Sequence, residues 1–392
     1  MKLPLGYRYA AVYAGIRKQE KDDLALIASE NIAQAAAVFT QNVVQAAPIR
    51  VARKHLKSSK GKVGAILVNA GNANCATRTG DRVALASCKS VAKALKIHKE
   101  HVLPASTGVI GVELDSKLLT QAVPGLVSRL SADAFESLAQ AIMTTDTRVK
   151  VASEEVLIPG GVIRIAGTTK GAGMIHPNMA TTLGFVMTDA ALDARELHEV
   201  LLHATHRSYN SLTIDGDMST NDMVVLLANG ASKVRLGGKA RSVFQDAVTG
   251  VMESLTKQIA ADGEGARKLI VVRVLGFKSE TEARRITRSI ANSPLVKTAM
   301  AGSDPNWGRI LAAAGYSGVQ FDPAAIDISL QGTQVCREGL AAYFDEPELK
   351  RRLDEPEIEI RVVLRGKGKA EARFFTCDLT EGYIEINGSY RT

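Results

Sequence analysis

The stretch "KGAGMIHPNMATTLGF", Lys170 to Phe185, joins two predicted strands, and its composition decides how the chain is interpreted. The strand "GVIRIAG" (Gly161 to Gly167) leads into it, and "LGFVMT" (Leu183 to Thr188) leads out of it. A loop usually carries polar turn residues, and a strand carries alternating or continuous apolar residues. This junction has glycines, then alanine and two threonines. The hydroxyls at the start of the second strand therefore call for a chemical explanation.

Composition and charge restrict the class of protein. The chain has 392 residues, of which 46% are hydrophobic and 23% charged, as in a soluble globular protein with a substantial core. Its net charge of +8 favours anionic ligands. The densest basic stretch, Arg50 to Lys62, has no aromatic residues, so it is more typical of a solvated helix face and loop than of a nucleic-acid site. Small carboxylates or phosphates fit this charge.

Cysteine spacing and hydropathy predict the compartment. None of the four cysteines forms a CxxC pair, which argues against a structural zinc site and a disulfide scaffold and indicates a reducing compartment. The first residues lack the apolar run of a signal peptide, and no window approaches the roughly 18 apolar residues of a membrane span. We therefore expect a cytoplasmic protein that binds neither nucleic acid nor membrane.

Strand-like and helical patterns are mixed along the chain without a regular βαβ order. Ser131 is predicted to cap a helix that carries Phe135, and Ser279 with Glu282 forms a capping-box pattern. Near the C-terminus, four alternating segments predict antiparallel strands: "AIDISLQG", "EIEIRVVLRG", "ARFFTCDLT" and "GYIEIN". The predicted fold class is α/β (α+β), with mixed β-sheets sandwiched by helices.

The sequence does not match several common site motifs. The glycines of "GAGMIH" do not continue as a dinucleotide-binding turn, because His176 occupies the third position and Pro177 follows. His198, His203 and His206 share a predicted helix, but no carboxylate partner of the metalloprotease type accompanies them. No Gly-x-Ser-x-Gly segment is present. We therefore predict no metal site.

A threonine that becomes N-terminal through chain cleavage needs no histidine. Its own α-amino group, with an unperturbed pKa of roughly 7.7–8.0, accepts the hydroxyl proton. This chemistry requires a hydroxyl residue at the start of a strand, a small residue before it, and nearby glycines that permit a strained peptide. Ala180 and Thr181, which follow Gly171 and Gly173, meet these requirements. A simple bend of small residues between two strands is the alternative.

The stretch resembles the cleavage segment of the ArgJ family, the ornithine acetyltransferase or glutamate N-acetyltransferase enzymes of arginine biosynthesis. Further segments resemble this family in the same order from near residue 20 to the last residue: "KDDLALIAS", "GNANCAT", "ASTGVIG", "IMTTDT", "DGEGARKLI", "NSPLVKTA", "DPNWGR" and "CDLTEGYIEIN". The resemblance implies a self-cleaving fold of the N-terminal-nucleophile type, like that of the DmpA and ArgJ enzymes.

The resemblance also implies a cleavage point between Ala180 and Thr181. The products would be an α chain of residues 1–180 and a β chain of residues 181–392, together forming one intertwined catalytic unit. Thr182 departs from the family pattern, in which a bulky apolar residue more often follows the nucleophile. Because adjacent side chains of a strand point to opposite faces, only one threonine fits a given pocket, and we expect Thr181 to be the nucleophile.

The resemblance assigns the family's site residues to matching positions of this sequence. Thr107 and Gly108 match the oxyanion donors of the family. A substrate carboxylate is expected to meet Lys170 and a substrate ammonium Glu264. The implied substrate contacts are Thr147 (with Thr144 and Thr145 beside it), Lys170, Thr181, Glu264, Asn387 and Thr392.

The implied reaction is a ping-pong transfer of acetyl from N²-acetyl-L-ornithine to L-glutamate through acetyl-Thr181. No metal or organic cofactor is needed, but bifunctional members also use acetyl-CoA as a co-substrate. The implied assembly is a heterotetramer of two α and two β chains. Two alternatives stay open from the residues: a self-cleaving amidase or aminopeptidase of the DmpA type, and a non-catalytic protein that binds anions or RNA.

Overall fold

The computed structural model describes residues 1–176, 182–366 and 368–389, and contains two mixed β-sheets. The first sheet has the strand order β4-β3-β2-β8-β7-β6-β5, and β1 also pairs with β2. The β3/β4 and β7/β8 pairs are parallel, and the other pairs are antiparallel. Its strands are β1 (Tyr7–Val12), β2 (Leu24–Phe39), β3 (Lys62–Asn69), β4 (Val102–Ser106), β5 (Lys150–Ile158), β6 (Gly161–Lys170), β7 (Leu183–Thr188) and β8 (Met223–Ala228).

The second sheet has the strand order β12-β11-β10-β13-β9-β14. Its β9/β13 pair is parallel, and its other pairs are antiparallel. The strands are β9 (Leu269–Phe277), β10 (Ile326–Leu330), β11 (Thr333–Arg337), β12 (Leu340–Ala341), β13 (Glu357–Leu364) and β14 (Ala370–Cys377). The α/β class with mixed sheets is therefore confirmed.

Helices cover both faces of the first sheet. Side chains of β7 alternate between two cores: Val186 packs with α5 and α6, whereas Phe185 packs with α1 and α4. Because Val271 and Phe375 of the second sheet join the core of α6, this helix lies between the two sheets. The helices are α1 (Ala47–Ser58), α2 (Gly80–Leu95), α3 (Ser116–Ser128), α4 (Phe135–Ala141), α5 (Ala194–Arg207), α6 (Lys239–Ala261), α7 (Glu280–Ala291), α8 (Pro294–Ala301), α9 (Trp307–Gly315), α10 (Glu346–Leu353) and α11 (Glu381–Ser389).

Two local predictions are wrong. Ser131 does not cap α4, which starts after Ala134; the Ser131 hydroxyl instead accepts a hydrogen bond from the Asp133 amide at 3.2 Å. The segment "GYIEIN" is not a strand but part of α11. The Thr380 hydroxyl accepts from the Gly382 amide at 3.1 Å, as a helix-capping side chain does. The alternation that suggested a strand also places residues four apart on one helix face.

Other predictions are correct or correct in part. Ser279 caps α7 by accepting from the Glu282 amide at 3.2 Å. The strands β10 and β13 lie within the predicted segments, and β14 overlaps its segment but begins two residues earlier, at Ala370. The three strands are not simply antiparallel neighbours. Strand β9, from earlier in the chain, lies between β13 and β14 and runs parallel to β13.

A buried ion network ties the two halves of the chain together. The Lys150 ammonium, at the start of β5, donates to Asp146 at 2.7 Å and to Asp262 at 2.5 Å. The three side chains are at most 4% exposed. Asp262 follows the last turn of α6, so the network fixes the end of α6 against the loop before β5. An ion pair this buried is stabilising only while both signs of charge are present.

Replacing Lys150 by methionine tests this network. We expect Lys150→Met to lower the free energy of unfolding by about 3–5 kcal/mol, because two buried carboxylates lose their counter-charge. Lys257→Met is the control, since its 2.8 Å pair with Glu357 is solvent-exposed and contributes at most about 1 kcal/mol. Urea unfolding followed by circular dichroism measures both. Equal losses in the two variants would contradict the account.

Candidate active site

A polar cavity of about 160 Å³ brings together five of the residues predicted from the sequence. It lies where β6 ends and where β7 and β8 begin, and the loops that follow β3 and β4 also line it. The side-chain amide of Asn221, just before β8, donates to the carbonyl groups of Ala73 (2.7 Å) and Ser106 (2.8 Å) and so holds these loops in place. The five predicted residues that line the cavity are Thr107, Gly108, Lys170, Glu264 and Asn387.

Three predicted residues, Ala180, Thr181 and Thr392, lie outside the described residues. Their roles stay predictions. Gly173 and Met174, which precede the predicted cleavage point in the sequence, line the cavity.

Gly108 has a conformation and a neighbourhood that only glycine fits. Its φ angle is 122°, and a Cβ atom at this position would lie 2.6 Å from the carbonyl carbon of Gly71. The preceding Thr107 amide donates to the Asn69 carbonyl at 2.9 Å. Among the described residues, the Gly108 amide donates no hydrogen bond. It is therefore a donor that a ligand in the cavity can use.

Lys170 ends β6 and supplies the cavity with an ammonium group. Its Nζ atom lies 3.4 Å from the Thr107 Oγ1 atom. Burial lowers the pKa of Lys170, whereas the negative charges of Asp146 and Glu264 oppose that effect. The cation therefore sits close to the Thr107–Gly108 turn, where it can bind an anionic group.

Glu264 supplies the opposite charge from the loop after α6. Its carboxylate accepts from the Asn387 amide at 2.8 Å, and its backbone amide donates to the Ala172 carbonyl at 2.8 Å. A Cβ atom on Gly173 would lie 2.3 Å from the Glu264 carboxylate, so a side chain there would displace that carboxylate from its present position. The glycine-rich turn and the acidic loop thus interlock.

Asp215 and Tyr383 line the cavity and were missed in the sequence. The Asp215 carboxylate accepts from the Met174 amide at 2.6 Å and the Ile175 amide at 2.9 Å, and it also accepts from the Tyr383 hydroxyl at 3.2 Å. Burial, together with Asp215, raises the pKa of Tyr383 well above its ordinary value. The "DGD" turn was the available signal for Asp215. Because the segment of α11 was predicted to be a strand, the sequence did not indicate that Tyr383 and Asn387 lie on one helix face.

The threonines near the cavity differ in whether they line it. Thr144 and Thr145 line it, whereas Thr147 is exposed and donates from its hydroxyl to Asp262 instead. Thr182 is 4% exposed, and its hydroxyl contacts the Lys170 carbonyl and the Thr169 hydroxyl, the latter at 2.8 Å. The Thr182 hydroxyl therefore forms hydrogen bonds that join the start of β7 to β6.

His176 does not line the cavity. Burial, with a smaller contribution from Arg288, lowers its pKa. Its Nδ1 atom is buried without a hydrogen-bond partner among the described residues.

The other sequence features have structural explanations. On the α5 surface, His206 pairs with Glu280 at 2.7 Å. All four cysteines are buried and free of disulfides. Within the described part of the chain, no cluster of three or more histidine, cysteine, aspartate or glutamate side chains could hold a metal ion. In the same part, no helix combines the length and the apolar character that crossing a membrane requires.

The cavity of this mixed-sheet fold offers an ammonium group, a carboxylate and an unused backbone amide, which are the groups that an enzyme for small amino-acid-like substrates needs to bind them. The model of the ArgJ family matches residues 8–392. The chain belongs to the ArgJ family, and the prediction of a glutamate N-acetyltransferase is confirmed at the level of the family.

Two relatives match nearly the whole chain, and one solved structure matches about half of it. The arginine biosynthesis bifunctional protein ArgJ of Symbiobacterium thermophilum is 45% identical over 395 residues, covering 99% of this chain and 98% of that protein. Its namesake from Caldanaerobacter subterraneus is 44% identical over 400 residues, covering 100% and 98%. The crystal structure of the Bacillus halodurans ArgJ protein matches with a TM-score of 0.52 and 40% identity, covering 54% of this chain and 100% of that one.

Removing the Tyr383 hydroxyl tests how α11 is held over the cavity. No residue of α11 is fully buried, so its position depends on polar contacts. We expect Tyr383→Phe to weaken the docking of α11 by about 1 kcal/mol and to accelerate hydrogen exchange of its amides about fivefold. Tyr343→Phe, at a fully exposed tyrosine, is the control. Unchanged exchange in Tyr383→Phe would show that this hydroxyl does not hold the helix.

Proposed function

We propose that this protein transfers an acetyl group from N²-acetyl-L-ornithine to L-glutamate through a covalent acetyl-Thr181 intermediate. The observation that carries the proposal is the convergence of Thr107, Gly108, Lys170 and Glu264 on one cavity. Membership of the ArgJ family supports the reaction class. A carboxylate, an ammonium and an acyl carbonyl are the groups by which this cavity would recognise acetylornithine.

Maturation is the first step of the proposal. The chain cleaves itself between Ala180 and Thr181, giving an α chain of residues 1–180 and a β chain of residues 181–392. The commitment of the Thr182 hydroxyl to β6 supports Thr181 as the nucleophile, since it removes the neighbouring hydroxyl from consideration. The new α-amino group of Thr181 then acts as the base for its own Oγ.

The oxyanion of the tetrahedral intermediate is held by Thr107 and Gly108. The unused Gly108 amide and the Thr107 hydroxyl are two donors on one turn, and Lys170 adds a positive charge 3.4 Å from that hydroxyl. Donors fixed by the backbone need no reorganisation as charge develops on the oxygen. The close approach to Gly71 fixes Gly108 in this way.

Charge complementarity orients the substrate. In the proposed mode, Lys170 binds the α-carboxylate and Glu264, with Asn387 beside it, binds an ammonium group. Thr144 and Thr145 line the cavity, so they are better placed than Thr147 to contact the substrate. We therefore propose that Thr147 acts indirectly, by bonding to Asp262.

The exchange is balanced without a redox or metal step. Thr181 Oγ attacks the acetyl carbonyl, its proton passes through the Thr181 amine to the departing nitrogen, and ornithine leaves. The amine of L-glutamate then attacks acetyl-Thr181, and the proton returns to Oγ. No cofactor takes part. The name "bifunctional" borne by the relatives supports acetyl-CoA as a second acetyl donor. The proposal includes an α2β2 heterotetramer in the cytoplasm.

Replacing the nucleophile tests both cleavage and catalysis. We expect the purified wild-type protein to give two fragments by denaturing electrophoresis and intact mass, and Thr181→Ala to give one chain, because the variant lacks the attacking hydroxyl. Thr182→Ala is the matched control and should still be cleaved. A single intact wild-type chain, or cleavage of Thr181→Ala, would eliminate the proposed nucleophile.

Adding one methyl group tests the oxyanion site. We expect Gly108→Ala to lower kcat by about 10²–10³-fold, because a Cβ atom would displace the turn and its amide. Gly111→Ala is the control: Gly111 also has a positive φ, of 78°, but a Cβ atom there would meet nothing within 4 Å. An acetyl-transfer assay with acetylornithine and glutamate measures both. Equal losses would assign the effect to backbone strain alone.

A further inference from the structure

Asp146 is a buried carboxylate that accepts hydrogen bonds from segments of the cavity wall. Its side chain is 0% exposed. One oxygen accepts from the Lys150 ammonium and from the Gly171 amide, each at 2.7 Å, and the other accepts from the Thr144 amide at 2.9 Å. Gly171 directly follows Lys170, and Thr144 lines the cavity. One carboxylate therefore holds two parts of the cavity wall.

The charges around Lys170 come from four parts of the chain. Asp146 precedes β5, Lys150 starts β5, Glu264 follows α6, and Asp222 precedes β8. Burial and the positive charge of Lys150 favour a neutral Lys170 amine, and the three carboxylates favour the ammonium. Among these carboxylates, Asp146 makes the largest contribution. Asp146 also accepts a hydrogen bond from the amide of Gly171, the residue after Lys170, which holds its charge beside that lysine.

The Asp146 carboxyl group itself stays ionised. Burial would raise its pKa, but Lys170, Lys150 and two hydrogen bonds together hold the pKa well below its usual range. Asp262 also contacts Lys150, but its carboxylate accepts from Thr147, Arg148 and Lys150, none of which lines the cavity. The two carboxylates that contact Lys150 therefore differ in their relation to the cavity.

We propose that Asp146 is a positioning residue: its charge keeps Lys170 protonated, and its hydrogen bonds hold Lys170 in place to bind the carboxylate of the acetyl donor. This inference rests on the proposed function, because it assigns a support to the same site. Without the Asp146 charge, burial lowers the pKa of Lys170 further, so the amine loses its proton at lower pH. A neutral amine is a poor partner for a substrate carboxylate.

The test compares Asp146→Asn with Asp262→Asn and Asp146→Glu across pH. We expect Asp146→Asn to raise KM for acetylornithine about tenfold near neutral pH, with a smaller change in kcat, and to move the alkaline limb of kcat/KM to lower pH. Asp146→Glu should restore that limb. Asp262→Asn disturbs the same Lys150 network but should leave the limb at its wild-type pH. An unmoved limb in Asp146→Asn, or an equal movement in Asp262→Asn, overturns the inference.

A second measurement does not depend on acetyl transfer. Trace labelling of lysine amines with an electrophile, followed by peptide mass spectrometry, gives the titration of Lys170 without substrate. We expect a lower midpoint in Asp146→Asn than in the wild type, and the wild-type midpoint in Asp262→Asn. An unchanged midpoint overturns the inference even in an active enzyme. If the wild type transfers no acetyl group, the proposed function fails while this readout still stands.

A third variant covers a failure to fold. If Asp146→Asn yields no folded protein, Asp146→Ser takes its place, because a hydroxyl can accept the Gly171 hydrogen bond without a charge. The same lowered midpoint is expected, and an unchanged one again overturns the inference.

Discussion

The burial of Lys150 between Asp146 and Asp262 is the constraint on which the cavity depends. It joins β5, the end of α6 and the loop before β5 in one buried polar network. From Asp262 the chain continues within two residues to Glu264, and from Asp146 hydrogen bonds reach Gly171 and Thr144. A buried charge cannot be left without its partner, so these segments are fixed relative to one another. The pairing of Lys150 with Asp146 and Asp262 therefore determines the geometry of the cavity.

Glycines complete this geometry by letting backbones approach closely. Gly173 leaves room for the Glu264 carboxylate, and Gly108 packs directly against Gly71. Each brings a polar group of the cavity nearer than a larger residue would allow. The opposite charges of Lys170 and Glu264 are thereby placed in a single cavity, as a zwitterionic amino acid requires.

The sequence predicted the mixed sheets because "LGFVMT" has a continuous apolar pattern and "EIEIRVVLRG" an alternating one. It also predicted five cavity residues, through a resemblance to a family rather than through spacing. It missed α11, whose alternating residues fit a strand and a helix equally well. It missed Asp215 because carboxylates in a turn usually face solvent, and its contact with Tyr383 joins residues 168 positions apart. The pairing of β9 between β13 and β14 is likewise a long-range choice that local patterns do not encode.

The central claim is that acetyl passes through Thr181, and direct observation of the acyl-enzyme tests it most sharply. The mature protein would be mixed with acetyl-labelled N²-acetyl-L-ornithine in the absence of glutamate, quenched in acid, and sequenced by mass spectrometry. The account predicts one acetyl group on Thr181 at the start of the fragment 181–392, and its transfer to glutamate when glutamate is added. A label on another residue, or acetyl transfer without any covalent label, would contradict it.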